Sequence, residues 1–200
     1  MPSKLLPISD EEKKWVNKLT KRRGSIYHFS RGCVRSAIST MTGVDPLAIP
    51  LKADPGEPPL LAEGWGHISI SHCSDALLIG WSEQKIGVDI ERKDREFQAH
   101  RISKRFFNQF ENREIEKLLP NEAKKQVLKR WVVKEAAIKW QRGKISTNLS
   151  EWVWENNSSF AHHKKLGYQI KVHRENFEQW TYAIALDKNN LIPKPIVCIN

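Results

Sequence analysis

Cysteine is scarce in this chain: Cys33, Cys73 and Cys198 are an odd and widely spaced three, with no CxxC pair. That pattern excludes a disulfide framework and a structural zinc site, and it fits a reducing compartment. Long apolar runs are also missing. No stretch approaches the roughly 18 to 20 uncharged residues of a membrane span, and the opening MPSKLLPISDEEKK has no signal-peptide apolar region. A cytoplasmic protein with no membrane partner is the expectation. The histidines form no HExxH or similar metal-spaced set, and no RRM, KH or zinc-finger pattern and no low-complexity tract is present.

Charge is what the chain has in excess. Lys and Arg number 33 against 23 Asp and Glu, a formal net charge of +10. Such a balance points to a polyanionic partner: nucleic acid, a membrane surface, a phosphorylated ligand or an acidic protein. With eight tryptophans available for stacking, a nucleic-acid-binding module without catalysis is one reading. The tryptophans fall mainly in periodic segments, however, where core packing is their use.

Ser9 to Glu12 reads as a capping box that opens a helix carrying Trp15, Val16 and Leu19. Lys21-Arg22-Arg23-Gly24 reads as a basic break. From Tyr27 to about Met41, Phe29, Cys33, Ala37 and Met41 recur every four residues, which predicts a second helix. Residues 44 to 66 hold five of the ten prolines and predict a loop with one short strand at most. Three strands follow, at His67 to His72, Ala76 to Trp81 and Lys85 to Glu91. Helical spacing returns at about Phe97 to Phe107, Asn112 to Leu119 and Glu122 to Arg142, then strand-like runs at Glu151 to Trp154, Tyr168 to His173, Trp180 to Leu186 and Ile196 to Ile199. Helices then strands, twice, predict an α+β fold of two halves meeting near residue 95.

The run Ile86-Gly87-Val88-Asp89-Ile90-Glu91 alternates with the strand period, so Asp89 and Glu91 share one face. Two carboxylates so placed repel unless a cation lies between them, and a hard ion such as Mg2+ takes one or two carboxylates while keeping sites for water and phosphate. A solvated strand with two surface acids is the alternative. In Lys129 to Trp140, Glu135 and Lys139 are one helical turn apart and suit an ion pair, either on the surface or at a site. Ser71 and His72 close a strand with groups able to donate to phosphate oxygens. Cys73 points to the opposite face from His72 and is assigned no catalytic role.

The order ISISHC, IGVDIE, KRFF, WVVKEAAIK is more specific than any one of these segments. From about Lys21 to Gly143 it resembles the 4'-phosphopantetheinyl transferases of the larger, Sfp-like type, marked by a (V/I)G(V/I)D(I/L)E strand and a W-x-x-K-E-A-x-x-K helix. The resemblance implies a pseudo-dimer of two similar α/β halves. Residues 1–95 would carry the phosphate-binding and metal-binding strand and residues 96–200 the KEAxxK helix, with the active site at their interface in a monomer. It implies Mg2+-dependent transfer of the 4'-phosphopantetheine group from coenzyme A to a serine of an apo acyl or peptidyl carrier protein, releasing adenosine 3',5'-bisphosphate. Carried over, Asp89, Glu91 and Glu135 would hold the metal, and Glu135 would take the serine proton. Lys139 and Lys134 would neutralise phosphate charge, and Ser71 and His72 would contact the coenzyme A phosphates. Arg22, Arg23 and Arg31 would meet its 3'-phosphate end. Phe106 and Phe107 would be carrier-docking elements or core. The chain departs from the pattern at Gly56-Glu57-Pro58, where relatives often place a lysine, and at Val132; nothing beyond about residue 145 carries over.

Overall fold

The computed structural model describes residues 6–189 and the backbone of 196–199. Helix α1 (Asp10–Lys18) has the predicted capping box: Glu12 N–H donates to Ser9 Oγ at 3.2 Å and Ser9 N–H to Glu12 Oε2 at 2.7 Å. Helix α2 spans Lys21–Thr42, so the basic segment is helical and does not break the chain. The reason lies in Gly24. A Cβ there would meet the Val16 carbonyl oxygen at 3.0 Å, so this glycine admits α1 to close contact with α2 instead of ending a helix.

Two short strands, β1 (Leu51–Lys52) and β2 (Leu60–Leu61), pair within the proline-rich loop, one more strand than the sequence predicts. Next come β3 (His67–His72), β4 (Ala76–Ser82) and β5 (Ile86–Arg92). Helices α3 (Ala99–Phe106), α4 (Gln109–Glu116), α5 (Pro120–Gln141) and α6 (Ile145–Asn148) precede β6 (Trp152–Val153), β7 (Phe160–His163), β8 (Gln169–Phe177), β9 (Trp180–Asp187) and β10 (Ile196–Ile199). Strand β7 has no counterpart in the sequence reading, because four residues with two histidines give too short an alternation to register.

The strands form a three-stranded sheet, β10-β4-β3, and a five-stranded sheet, β5-β9-β8-β7-β6, both antiparallel. Each sheet brings together strands from both sides of residue 95: β5 pairs with β9, and β10 with β4. Four layers result. Helix α2 packs Val34 and Ile38 on Ile68, Leu77 and Ile79 of the smaller sheet. The opposite face of that sheet sets Ala76 and Leu78 against Val88, Ile90, Tyr182 and Ile184 of the larger one. On the outer face of the larger sheet, Ala183 and Ala185 receive Val132, Val133, Ala136 and Ala137 of α5. Strand parity therefore turns Asp89 and Glu91 toward α5 while Val88 and Ile90 fill the layer between the sheets.

Gly87 sets how near α5 can come. A Cβ at this position would stand 2.0 Å from the Ala136 carbonyl oxygen and 2.4 Å from the Trp140 nitrogen, both backbone atoms that cannot swing away. Overpacking of this kind costs about 1–3 kcal/mol, and against backbone the upper end applies. Gly87→Ala is expected to lower Tm by roughly 5–10 °C in a thermal melt. A Tm within experimental error of wild type would mean that α5 does not rest on β5 as described.

Candidate functional site

The contact of α5 with β5 gathers the charged groups. Asp89 is 2% exposed, and its Oδ1 accepts hydrogen bonds from Ser71 Oγ at 2.6 Å and Lys139 Nζ at 2.7 Å. Its Oδ2 is buried with no hydrogen-bond partner among the described residues. Glu135 lies one turn before Lys139, with Oε2 3.8 Å from Lys139 Nζ. Glu91 is half-buried and accepts from Arg95 Nη1. Burial, then the charge of Asp89, drives the Glu135 carboxyl up to about 8, with Lys139 opposing. The same causes raise Glu91, against Arg95 and Lys139. One lysine thus does not neutralise three carboxylates.

A measurable consequence concerns stability. The ordinary value for Glu135 is 4.5, so between 4.5 and about 8 the folded chain holds a proton here that the unfolded chain has released. Raising pH across that window therefore costs stability. In EDTA, Glu135→Gln is expected to melt progressively higher than wild type as pH rises from 4.5 through about 8; a Tm difference independent of pH would contradict the coupling.

Neighbouring elements build a cleft of about 640 Å3 over this cluster. Asp89, Glu91, Glu135 and Lys139 line it, with Arg23, Arg31, Lys85 and Arg142 supplying further positive charge and Tyr27 and Trp140 supplying rings. Lys85 sets its ammonium 5.5 Å from the Trp140 ring centre. Lys85 and Arg142 were not singled out by sequence, although they directly flank the two motifs; a lone basic residue at an element's end carries no periodic signal. Gly56, Glu57 and Pro58 also line the cleft, so the loop that departs from the family pattern does face the site.

Several expectations are corrected. Lys134 is fully buried behind the site. Its Nζ donates to Glu111 Oε2 at 2.5 Å and to the Leu149 carbonyl at 3.1 Å, and it cannot reach a ligand in the cleft. The α-helical period separates it from Glu135 by a quarter turn or so, enough to point it into the core. Arg22 is exposed and does not line the cleft. Arg31 does line it, but its Nε and Nη2 both donate to the Ala53 carbonyl at 3.2 Å. Ser71 lines the cleft as expected, but its hydroxyl is engaged: it donates to Asp89 and accepts from Ile90 N–H at 3.3 Å. Ser69 Oγ accepts from Val88 N–H in the same way at 3.0 Å. These serines tie β3 to β5 and orient Asp89, a positioning role that strand alternation alone does not reveal. Arg35, in the same basic segment, is buried against Glu12 at 2.8 Å and holds α1 on α2. Phe107 is core, and Phe106 packs edge-on against Trp131 at 5.8 Å between ring centres.

His72 stays at the rim of the cleft, exposed. Partial burial, then the charges of Lys139 and Arg31, pull its pKa down. Burial pushes the Cys73 thiol up, which suits the absence of a nucleophilic role. Trp152, Trp154 and Trp180 lie in the core and offer no stacking surface for bases.

Among the described residues, no three His, Cys, Asp or Glu groups are drawn together as a closed metal-ligand set. Lys139 holds Asp89 and Arg95 holds Glu91. The donor set nonetheless suits a hard divalent ion: carboxylate oxygens only, one of them buried without a partner among the described residues, and two carboxyls whose pKa values are raised by burial and then by the charge of Asp89. Mg2+ is held by one or two carboxylates and completed by water and phosphate, so an open set agrees with it better than a closed cage.

No curated protein matches the chain. Thermotoga maritima holo-[acyl-carrier-protein] synthase, a solved structure, is similar over 52% of this chain at 19% identity and a TM-score of 0.40, and the match covers 64% of that protein's chain. The model of the 4'-phosphopantetheinyl transferase superfamily matches residues 85–191, from the base of β5 past β9. That span holds Asp89, Glu91, Glu135 and Lys139 together with the strand and helix that bring them face to face, and it exceeds half of the chain: the protein belongs to the 4'-phosphopantetheinyl transferase superfamily.

Proposed function

We propose that this protein transfers the 4'-phosphopantetheine group of coenzyme A to a serine of an apo acyl or peptidyl carrier protein. The observation that carries the reading is the Asp89, Glu135, Lys139 cluster at the floor of a cleft edged by Arg23, Arg31, Lys85 and Arg142. Coenzyme A carries its charge as a pyrophosphate and a separate 3'-phosphate, and the cleft offers cations at more than one place. Lys139 and His72 are positioned for the pyrophosphate, and Arg23 for the 3'-phosphate. The two-sided origin of the site, β5 from one half and α5 from the other, supports the pseudo-dimeric, Sfp-like organisation. So does the recurrence of a 22-residue helix with antiparallel strands in each half.

In this mechanism the serine oxygen attacks the phosphorus that bears the pantetheine arm. A bond from that phosphorus to the serine oxygen forms, its bond to the bridging oxygen breaks, and adenosine 3',5'-bisphosphate departs with that oxygen. The serine proton passes to Glu135, whose carboxylate has a proton affinity matched to neutral pH. Lys139, anchored on Asp89, stabilises charge on the phosphoryl oxygens. Asp89 with Glu91 and Glu135 would hold Mg2+, which when bound supplies the positive charge that neutralises the pyrophosphate.

Incubation with coenzyme A, Mg2+ and a panel of apo carriers, read by mass spectrometry, is expected to give a carrier heavier by one phosphopantetheine. No mass shift on any carrier would overturn the reading, and salt-dependent binding of generic DNA or RNA without transfer would favour the nucleic-acid module. Mg2+ is also expected to raise Tm more at pH 8 than at pH 5, because it binds the ionised carboxylates. Equal shifts at both pH values would exclude these carboxylates as its ligands.

A further inference from the structure

The outer face of the five-stranded sheet carries a second groove, of about 440 Å3, that plays no part in the mechanism above. Its cations are Lys93 after β5, Lys124, Lys125 and Lys129 on α5, and Arg174 on β8, and no carboxylate among the described residues lines it. Two of the five are met at the rim, Lys124 by Glu96 at 2.6 Å and Lys125 by Glu122 at 3.1 Å. Lys93, Lys129 and Arg174 have no ion-pair partner among the described residues. Arg174 is the most informative. It is half-buried, and among the described residues its Nη1 donates only to the neutral oxygens of Asn176 and Thr181, each at 3.2 Å. Burial depresses its pKa, which reflects a guanidinium held without a counter-charge. Retaining such a group in a groove with other cations is unfavourable unless an anion completes it.

The groove adjoins the site. Strand register places Asp89 opposite Ala183 and Ala183 opposite Arg174, so Arg174 lies in the cross-strand row of Asp89, two strand spacings or about 10 Å away. Glu91, Thr181 and Asn176 form the next row. On α5, Lys124, Leu128 and Glu135 fall on one stripe. A partner seated in the groove would therefore have its adjoining surface beside Glu135.

We propose that this groove docks the carboxylate-rich surface of the protein acceptor, an inference that rests on the function proposed above. Five cations spread over a helix, a loop and a strand match several carboxylates spaced along a protein surface better than one compact phosphate. Leu119, 76% exposed two residues before the groove-lining Asn121, adds an apolar contact of the kind protein interfaces use and small anions do not.

The test is the charge reversal Lys129→Glu with Arg174→Glu, the milder Arg174→Gln, and the distant reversal Lys14→Glu as a control for net charge, with folding checked by thermal melts. The double reversal is expected to raise KM for the apo carrier about tenfold, to flatten its salt dependence, and to leave KM for coenzyme A unchanged. Arg174→Gln is expected to shift KM for the carrier in the same direction by less. Anisotropy of a labelled apo carrier without coenzyme A reads docking separately from transfer. Wild type that modifies the carrier with a KM indifferent to the groove variants, or moved equally by Lys14→Glu, overturns the docking surface and leaves the function standing. Wild type that binds the carrier through the groove but never modifies it overturns the function and leaves the docking surface. Groove variants that lose binding of inorganic phosphate while carrier binding is unmoved overturn the inference in favour of a small-anion site.

Discussion

Glu135→Gln is expected to lower kcat for carrier modification by two to four orders of magnitude, the usual contribution of a positioned general base. Glutamine has the shape of glutamate, and the side chain it replaces is held at the α5 and β5 contact by packing of the neighbouring Ala136 and Ala137, both fully buried. The variant therefore keeps the helix in place and removes only the proton acceptor and one charge. Coenzyme A affinity is expected to change far less than kcat, since Lys139, Lys85, Arg23 and Arg142 are untouched. The stability readout separates this from a structural defect. Removing a carboxyl that is buried and that Asp89 repels makes the metal-free protein melt higher at pH 8, whereas a disrupted site would melt lower. Near-wild-type kcat would exclude Glu135 as the base, and low kcat with low Tm would assign it to the scaffold.

Lys134→Met should destabilise the protein by about 3–5 kcal/mol, a Tm loss of roughly 10 °C or more, because it strands the Glu111 carboxylate in the core. Lys134 is 0% exposed and Glu111 2% exposed, and the ammonium also lies 4.5 Å from the Phe107 ring centre. Burial pulls the lysine pKa down, so the pair persists only because Glu111 answers it. Glu111 has a second duty as the third residue of the α4 capping box, bound by Asn108 N–H at 3.3 Å and Asn108 Nδ2 at 2.5 Å. Glutamine serves that box and carries no charge. The double variant Lys134→Met with Glu111→Gln is therefore expected to recover most of the lost stability. Its KM for coenzyme A should equal that of wild type, since Lys134 faces away from the cleft. A single variant as stable as wild type would show that the pair does not anchor α5, and a raised KM for coenzyme A in the double variant would return Lys134 to the ligand.

The contrast between Lys134 and Glu135 shows where reading the chain succeeds and where it stops. Both sit in one motif, and residue type alone recommends both for phosphate chemistry. Only the packing of α5 decides that Glu135 meets Asp89 while Lys134 enters the core. The basic segment from Lys21 to Arg35 divides similarly: Arg23 reaches the cleft, Arg22 stays in solvent, Arg31 turns to the Ala53 carbonyl and Arg35 to Glu12. Helix α1 and its cap, the strands β3 to β5 and the long α5 were legible because capping and periodicity act between near neighbours. Strand β7 and the engagement of the Ser69 and Ser71 hydroxyls with β5 were not, since they depend on what lies across a sheet interface.

By itself the sequence determined the chemistry available: an acid-bearing strand with Asp89 and Glu91 on one face, a helix with Glu135 and Lys139 one turn apart, and an excess of positive charge. Those are properties of period and composition, and they survive without knowing a single tertiary contact. The tertiary structure decided which charges cooperate. It set β5 against α5 through Gly87, left Asp89 Oδ2 without a partner among the described residues, sent Lys134 inward, and divided the remaining cations between a cleft over the carboxylates and a groove around Arg174. The physical reason is that electrostatic interaction and desolvation depend on distance and burial, and neither is a property of position along the chain.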